Sequence, residues 1–434
     1  MPFRYHVDWS NFRGNAPPAC PPYNSPCPLT LKARRRPMKA IRPDALRIAV
    51  VSSNEVDWGG SEELWQKAAL AMARQGHRVQ IFKPRLQRGL RPVRELRDAG
   101  CKLTDLTRPF GLPELFVQRV GAVSRLLQFA LLAANLLPRL LWYRPDFVLL
   151  SQGGNWDGAH FAKVLRLVGS RYAIVSQKAS EFYWPPDSYR PSVAAMYRDA
   201  THAFFVSEHN RQLTELQLGE ALPPASVARN PFLVDFAAPL AWPEHCDEGV
   251  DFACIGRLYP MEKGQDLILR VLAMPKWRTR GAKASFYGEG INRAGLEAMA
   301  VHLGLGDRVR FCGQVEDVVG IWCEHQVLLL ASRCEGLPLV VVEAMLAGRV
   351  VIATAAGGSG EAFDDGITGF LAQHASVEAL DDAMERAWNR RAEWRQIGCV
   401  AAQHIRQIVP ADPGYALAEQ IVALASRQTD KTHE

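Results

Sequence analysis

The chain has 434 residues, 48% of them apolar and 22% charged, with a formal net charge of +6. That length and balance suit two globular domains of ordinary size. The mild positive excess fits anionic nucleotides or an anionic membrane surface and does not by itself point to nucleic acid. The nine cysteines are scattered and form no Cys-x2-Cys pair, which argues for a reduced cytoplasmic setting and against a disulfide framework or zinc knuckle.

Residues 1–45 hold Pro17, Pro18, Pro21, Pro22 and the run Arg34-Arg35-Arg36, with no apolar stretch of the kind a secretory signal needs. A disordered leader is expected there, with Met38 an alternative start. Ile48 to Val51 then reads as a strand, Gly59-Gly60 closes a loop, and Glu62 to Arg74 is amphipathic at helical spacing. Further strands are expected at Val79–Phe82, Phe147–Leu150, Ala173–Val175 and Ala203–Val206, with helical patterns between them. Such alternation implies a parallel sheet with right-handed crossovers. Leu126 to Tyr143 is apolar but interrupted by Gln128, Asn135, Pro138 and Arg139, whereas a bilayer span needs about 20 apolar residues. It reads as a buried crossover helix. The alternative is a peripheral membrane contact through residues 115–143, aided by Arg119, Arg125, Arg139 and Arg144.

Residues 236–250 are irregular, with Pro239, Pro243 and Gly249, and read as a linker between a first domain at 46–235 and a second at 251–410. Alternation restarts with strands at Phe252–Ile255, Ser285–Tyr287, Val309–Cys312, Val327–Leu330 and Val350–Ala353. Residues 411–434 form a C-terminal helix and tail, helical from Tyr415 to Ala425. Two such domains joined by a linker make a cleft, a common ligand site.

The most informative pair is Glu335 and Glu343, eight residues apart in Glu335-Gly336-Leu337-Pro338-Leu339-Val340-Val341-Val342-Glu343. Glu335 falls in the loop after a buried strand. Pro338 suits the first turn of a helix that ends at Gly348, and Glu343 lies about one turn in. Open parallel sheets bind ligands at that edge, and a helix start suits a phosphate. Two carboxylates around a phosphate can take the hydroxyls of the sugars that flank it. The second-domain entry, Ile255-Gly256-Arg257 to Lys263-Gly264, places two cations six residues apart after a strand. Fixed there, they would neutralise a leaving diphosphate.

Weaker elements follow the same logic. Gly288-Glu289-Gly290 ends a strand, and Phe311 to Val315 follows another. Gly357-Gly358-Ser359-Gly360-Glu361 lets backbone approach a ligand or turn sharply. In the first half, Gly59-Gly60-Ser61-Glu62 opens a helix directly after the first strand. Ser61 there is also a reasonable N-cap, and Gly-x-Gly-x-x-Gly is absent. Gly153-Gly154-Asn155-Trp156 offers either a plain turn or an aromatic face for an acceptor sugar.

The Glu335-x7-Glu343 spacing, with Ala344, Gly348 and Gly357-Gly358 after it, resembles the signature of family 4 of the retaining glycosyltransferases. That resemblance implies a GT-B fold: two Rossmann-like α/β domains facing across a cleft, with the C-terminal helix crossing back to the first. It also implies transfer of a sugar from a nucleotide-sugar to a glycan or lipid-linked acceptor. By resemblance, Arg257 and Lys263 hold the diphosphate, Glu335 the transferred sugar, and Glu343 the ribose. Gly336, Leu337, Gly288, Val315, Gly59 and Gly60 are further donor contacts. Glu62, Trp156, Gln177 and Glu181 fall on the acceptor side. The family's usual first-domain His is missing from Ser176-Gln177-Lys178-Ala179-Ser180-Glu181, and Gln177 or Glu181 would fill its space. No Asp-x-Asp pair is present to hold a divalent metal, so neither metal nor cofactor is expected, and no nucleic-acid partner. Two other classes fit the same fold: a nucleotide-sugar 2-epimerase and a non-catalytic nucleotide-sugar-binding paralogue.

Overall fold

In the computed structural model, residues 44–55, 58–107, 125–244 and 249–427 are described. Residues 1–43, 56–57, 108–124, 245–248 and 428–434 lie outside them, and with them nearly all of the expected leader and residues 115–124, including Arg119, of the expected membrane contact. Among the described residues, the first sheet has seven parallel strands: β1 (Arg47–Ser52), β2 (Arg78–Lys83), β3 (Lys102–Asp105), β4 (Phe147–Gln152), β5 (Tyr172–Ser176), β6 (His202–Phe205) and β7 (Ala225–Val227). Their order is β3-β2-β1-β4-β5-β6-β7. The second has six among the same residues: β8 (Asp251–Ile255), β9 (Lys283–Tyr287), β10 (Val309–Gly313), β11 (Val327–Leu330), β12 (Val350–Thr354) and β13 (Phe370–Ala372), in the order β10-β9-β8-β11-β12-β13. The order reverses between β1 and β4 in one sheet and between β8 and β11 in the other. That topology opens a crevice at the carboxyl ends of the strands.

The strand sequences follow from burial on both faces. Phe147–Gln152 and Val327–Leu330 are buried at every residue, so they read as unbroken apolar runs rather than alternating ones. Each sheet separates two apolar clusters. Val50, Leu64, Trp65 and Leu149 fill one side of the first, and Val51, Phe161, Leu150 and Tyr172 the other. In the second, Phe252, Trp277 and Leu329 oppose Ala253, Trp322 and Leu328. Three short strands, β3, β7 and β13, were not visible as apolar runs. Each is an edge strand or next to one and only three or four residues long.

The helix Pro413–Ser426 does cross back to the first domain. Leu417, Ala418, Ile421 and Ala425 join the cluster of Leu64, Ala68 and Met72. Its C-terminal carbonyls at Leu424 and Ala425 accept from the Arg171 guanidinium at 2.8 and 3.2 Å. A cation thereby meets the negative end of the helix. Arg125–Tyr143 is one helix with Pro138 inside it. Among the described residues no helix is long and apolar enough to cross a membrane.

Candidate active site

The loops that follow β8 and β11 flank the second sheet's reversal point, and they carry the two cations and Glu335. After β8 the chain makes a one-turn helix, Pro260–Lys263, that stops at Gly264. Gly264 has φ 63°, and a Cβ there would lie 1.9 Å from the Ala331 carbonyl at the end of β11. Only glycine lets the cation-bearing turn sit this tightly on that strand. The Glu262 carbonyl then accepts from Arg333 N at 2.7 Å and Cys334 N at 3.3 Å, which ties the turn to the loop of Glu335. The side chains meet in turn. Lys263 Nζ lies 2.5 Å from Glu335 Oε1, and Ser332 Oγ donates to the same oxygen at 2.6 Å. Lys263 and Glu335, assigned to diphosphate and sugar by resemblance, are thus one ion pair at the sheet edge.

Arg257 is more exposed and is steered by a group the sequence did not reveal. Its Nη2 donates to Glu262 Oε2 at 3.1 Å, while Lys178 Nζ, from the first domain, donates to Glu262 Oε1 at 2.8 Å. One carboxylate therefore joins cations from both sides of the cleft. These partners hold the Lys178 amine above its ordinary value despite burial, with Cys334, Glu262 and Glu335 all acting on it. Burial pushes the Cys334 thiol up, opposed by Lys178.

The helix after Glu335 spans Leu339–Leu346, with Pro338 as the residue just before it. Gly336 and Leu337 precede that start, and among the described residues no acceptor meets their N–H groups. A Cβ at Gly336 would lie 2.2 Å from the Gln177 carbonyl and 2.7 Å from Val206 Cγ2, so here the two domains touch through bare backbone. Gly60, the first residue of the helix Gly60–Arg74, faces Leu339 Cδ1 at 3.6 Å from its Cβ position. Two helix N-termini, one from each domain, therefore converge on the cleft, and their dipoles favour an anion between them.

Glu343 is 3% exposed. Its Oε1 accepts from Leu233 N at 3.1 Å, in the segment where the chain passes between domains. Burial pushes its carboxyl up to about 7, and the Leu233 hydrogen bond offsets only part of that. A buried carboxylate with one backbone donor has lone pairs left for hydroxyl donors.

Several expected contacts take other forms. Glu62 is 1% exposed, and its Oε2 accepts from Asn54 Nδ2 at 3.2 Å and Ser61 Oγ at 2.8 Å. Burial raises its pKa against the pull of Lys83. It braces the loop after β1. Ser61 is not the helix N-cap, because the helix starts one residue earlier, at Gly60. The Gly288 N–H donates to the Gly313 carbonyl at 2.7 Å and is not free for a nucleotide, and a Cβ at Gly288 would lie 2.2 Å from the Gly256 carbonyl, just before Arg257. Val315 is 37% exposed beyond β10. Trp156 packs edge-on against Tyr189, centroids 6.1 Å apart, and lies against the first-domain core. The Gly154 N–H donates to Asp157 Oδ2 at 2.6 Å, a turn within Gly153 to Asp157, and Trp156 is half-buried. Gln177 is buried, and among the described residues no partner meets its side-chain Nε2. Glu181 is ion-paired with His209, Nε2 to Oε1 2.9 Å, and that hydrogen bond holds its carboxyl below the ordinary value.

A second cross-cleft contact was also missed. Glu361, in the Gly357–Glu361 turn, accepts from Glu208 N at 3.1 Å and His209 N at 2.7 Å, and Arg229 Nη1 lies 3.4 Å away. It caps the first-domain helix Glu208–Leu218 from the second domain. The signal in sequence was the turn, but nothing there showed that its acid reaches 152 residues back. Among the described residues no three His, Cys, Asp or Glu side chains gather as a metal site would require.

Residues 249–390 match the family described as Glycosyl transferases group 1. Among curated relatives, the Vi polysaccharide biosynthesis protein VipC/TviE of Salmonella typhi is 41% identical over 25% of this chain and 19% of its own length. A GDP-mannose-dependent alpha-(1-6)-phosphatidylinositol monomannoside mannosyltransferase of Mycobacterium tuberculosis is 30% identical over 50% of this chain and 61% of its own. The chain thus spans from about a fifth to about three fifths of these relatives. Among solved structures, sucrose-phosphate synthase of Thermosynechococcus elongatus covers 89% of this chain and 100% of its own with TM-score 0.69 at 18% identity. Anabaena HepE in complex with UDP covers 89% and 99% with TM-score 0.62 at 16% identity. These likenesses establish the GT-B fold.

Proposed function

We propose that this chain is a glycosyltransferase that moves a sugar from a nucleotide-diphosphate sugar to a glycan or lipid-linked acceptor. The observation that carries the proposal is the meeting of Lys263, Arg257 and Glu335 at the β8–β11 reversal, inside the stretch that matches Glycosyl transferases group 1. Neighbouring folds include HepE in complex with UDP-glucose, and the curated relatives include a GDP-mannose-dependent enzyme. Glycosyltransferase relatives favour this over an epimerase or a non-catalytic paralogue.

In this reading the diphosphate lies between the two converging helix starts, with Arg257 and Lys263 on its oxygens. Lys263 exchanges Glu335 for phosphate, and Glu335 turns to hydroxyls of the transferred sugar. Glu343 takes the ribose hydroxyls. The acceptor hydroxyl oxygen bonds to the anomeric carbon as the bond from that carbon to the phosphate oxygen breaks. The acceptor proton passes to the departing phosphate, so attack and departure share one face and the anomeric configuration is retained. Preorganised cations at the leaving group suit this chemistry without a divalent ion. The helix Arg125–Tyr143, with Leu141 and Trp142 56% and 76% exposed, is a surface that would rest on a membrane holding a lipid-linked acceptor.

The test is a thermal-shift screen with UDP-, GDP- and ADP-sugars. One class should raise the melting temperature by mass action, and Glu343→Ala should abolish the response. No shift with any nucleotide-sugar would refute the proposal.

A further inference from the structure

Three consecutive aromatic residues, Phe182, Tyr183 and Trp184, are 66%, 37% and 57% exposed. They belong to the loop after β5, the one that also carries Lys178, and they border the charged cluster described above. Lys178 Nζ sits 5.9 Å from the Tyr183 ring centroid while it holds Glu262 at 2.8 Å. Through Lys178, Tyr183 stands one residue away from Glu262 of the second domain. There, Tyr259 lies under the Arg257 guanidinium, 5.9 Å from its ring centroid.

The loop is built, not loose. Phe182 N donates to Ser180 Oγ at 3.2 Å, and Tyr183 N to the Ser180 carbonyl at 3.3 Å. That carbonyl also accepts from Gln217 Nε2 at 2.7 Å. The Trp184 indole N–H donates to the Glu181 carbonyl at 3.1 Å, which fixes the ring by its polar edge and leaves its face in solvent. Pro185 and Pro186 follow and restrict the exit. Large exposed rings are costly to keep in water unless something covers them.

We propose that Tyr183 and Trp184 form the subsite for the acceptor, and that its occupant is a pyranose ring stacked on their faces. This rests on the transferase reading above. The axial C–H groups of a sugar give it an apolar face, while its hydroxyls need polar partners. Both are present here: aromatic faces next to Lys178, Glu262 and the Glu181–His209 pair. Mixed aromatic and polar linings are typical of small-molecule sites. A lipid surface would call for an unbroken apolar patch ringed by cations, and the two carboxylates at this loop oppose that.

The experiment is saturation-transfer NMR on the full chain, saturated with UDP, GDP or ADP, whichever binds. The probes are the methyl pyranosides of α-glucose, β-galactose, α-mannose and β-N-acetylglucosamine. At least one should receive saturation at its ring C–H protons. Trp184→Ala and Tyr183→Ala should each weaken its binding about tenfold, the scale of one aromatic contact, with nucleotide affinity unchanged within about twofold. Trp184→Phe, which keeps a ring, should restore most of the signal. Unchanged sugar binding in both alanine variants would overturn the proposal, as would no saturation of any probe in a nucleotide-bound wild type. Loss of binding to phosphatidylglycerol vesicles with sugar binding intact would assign the rings to lipid instead. Failure of the wild type to bind any nucleotide would count against the donor site, and a ring-dependent sugar signal would still stand alone.

Discussion

Replacing Glu343 by Gln should stabilise the protein and weaken its nucleotide binding together. The carboxyl is 3% exposed and titrates near 7 rather than at its ordinary 4.5, so its ionised form costs the folded state about 3 kcal/mol. The folded value lies above the unfolded one. Between about 4.5 and 7 the folded protein therefore holds the extra proton, and stability falls as pH rises through that window. Gln has the same shape, keeps an oxygen for the Leu233 N–H, and carries no charge. Urea unfolding at pH 8 should show Glu343→Gln more stable than wild type by about 3 kcal/mol, and at pH 5 by less than about 1 kcal/mol. At pH 8 the amide offers one acceptor oxygen where the carboxylate offered two, so nucleotide affinity should drop about tenfold. A structural glutamate would lose stability on the same change. The reasoning is refuted if the variant is less stable at pH 8, or if its gain is the same at both pH values.

Lys263→Ala should lower turnover on the order of a hundredfold, the loss expected for one preorganised charge donor, as initial rates at saturating donor will show. Gly336→Ala should weaken donor binding by about tenfold or more, because its Cβ would meet the Gln177 carbonyl at 2.2 Å and hold the domains apart at the cost of overpacking. Affinity unchanged by that methyl would mean the domains do not need to touch there. Chelation with EDTA should leave turnover within about twofold of the untreated value, since the cations rather than a divalent ion carry the phosphate charge. A collapse restored by Mg²⁺ or Mn²⁺ would refute this.

The second domain was the more legible half, for a physical reason. Its candidate site residues sit in two short stretches, Arg257 to Lys263 and Glu335 to Glu343, whose positions follow from strand ends and one helix start. Local rules fix such positions. What escaped the sequence depends on pairs far apart in the chain. Lys178 finds Glu262 from 84 residues away, and Glu361 caps a helix 153 residues earlier. Neither pair has a local signal, because the meeting is set by how the two domains face each other. The partners of Glu62 were hidden for a related reason. Its position in a glycine loop at a helix start looked like a ligand contact, but the first turn of that helix points the side chain inward to Asn54 and Lys83. The exposure of Trp184 had no local signal either, since pattern alone does not show which aromatic ring the fold leaves in water.

Calorimetric titration of nucleoside diphosphates, each compared with its nucleoside, tests the central claim most directly. One diphosphate should bind on the order of a hundredfold more tightly than its nucleoside, and the double variant Arg257→Ala, Lys263→Ala should remove that difference. Equal affinity for diphosphate and nucleoside in the wild type, or a difference that survives loss of both cations, would contradict it.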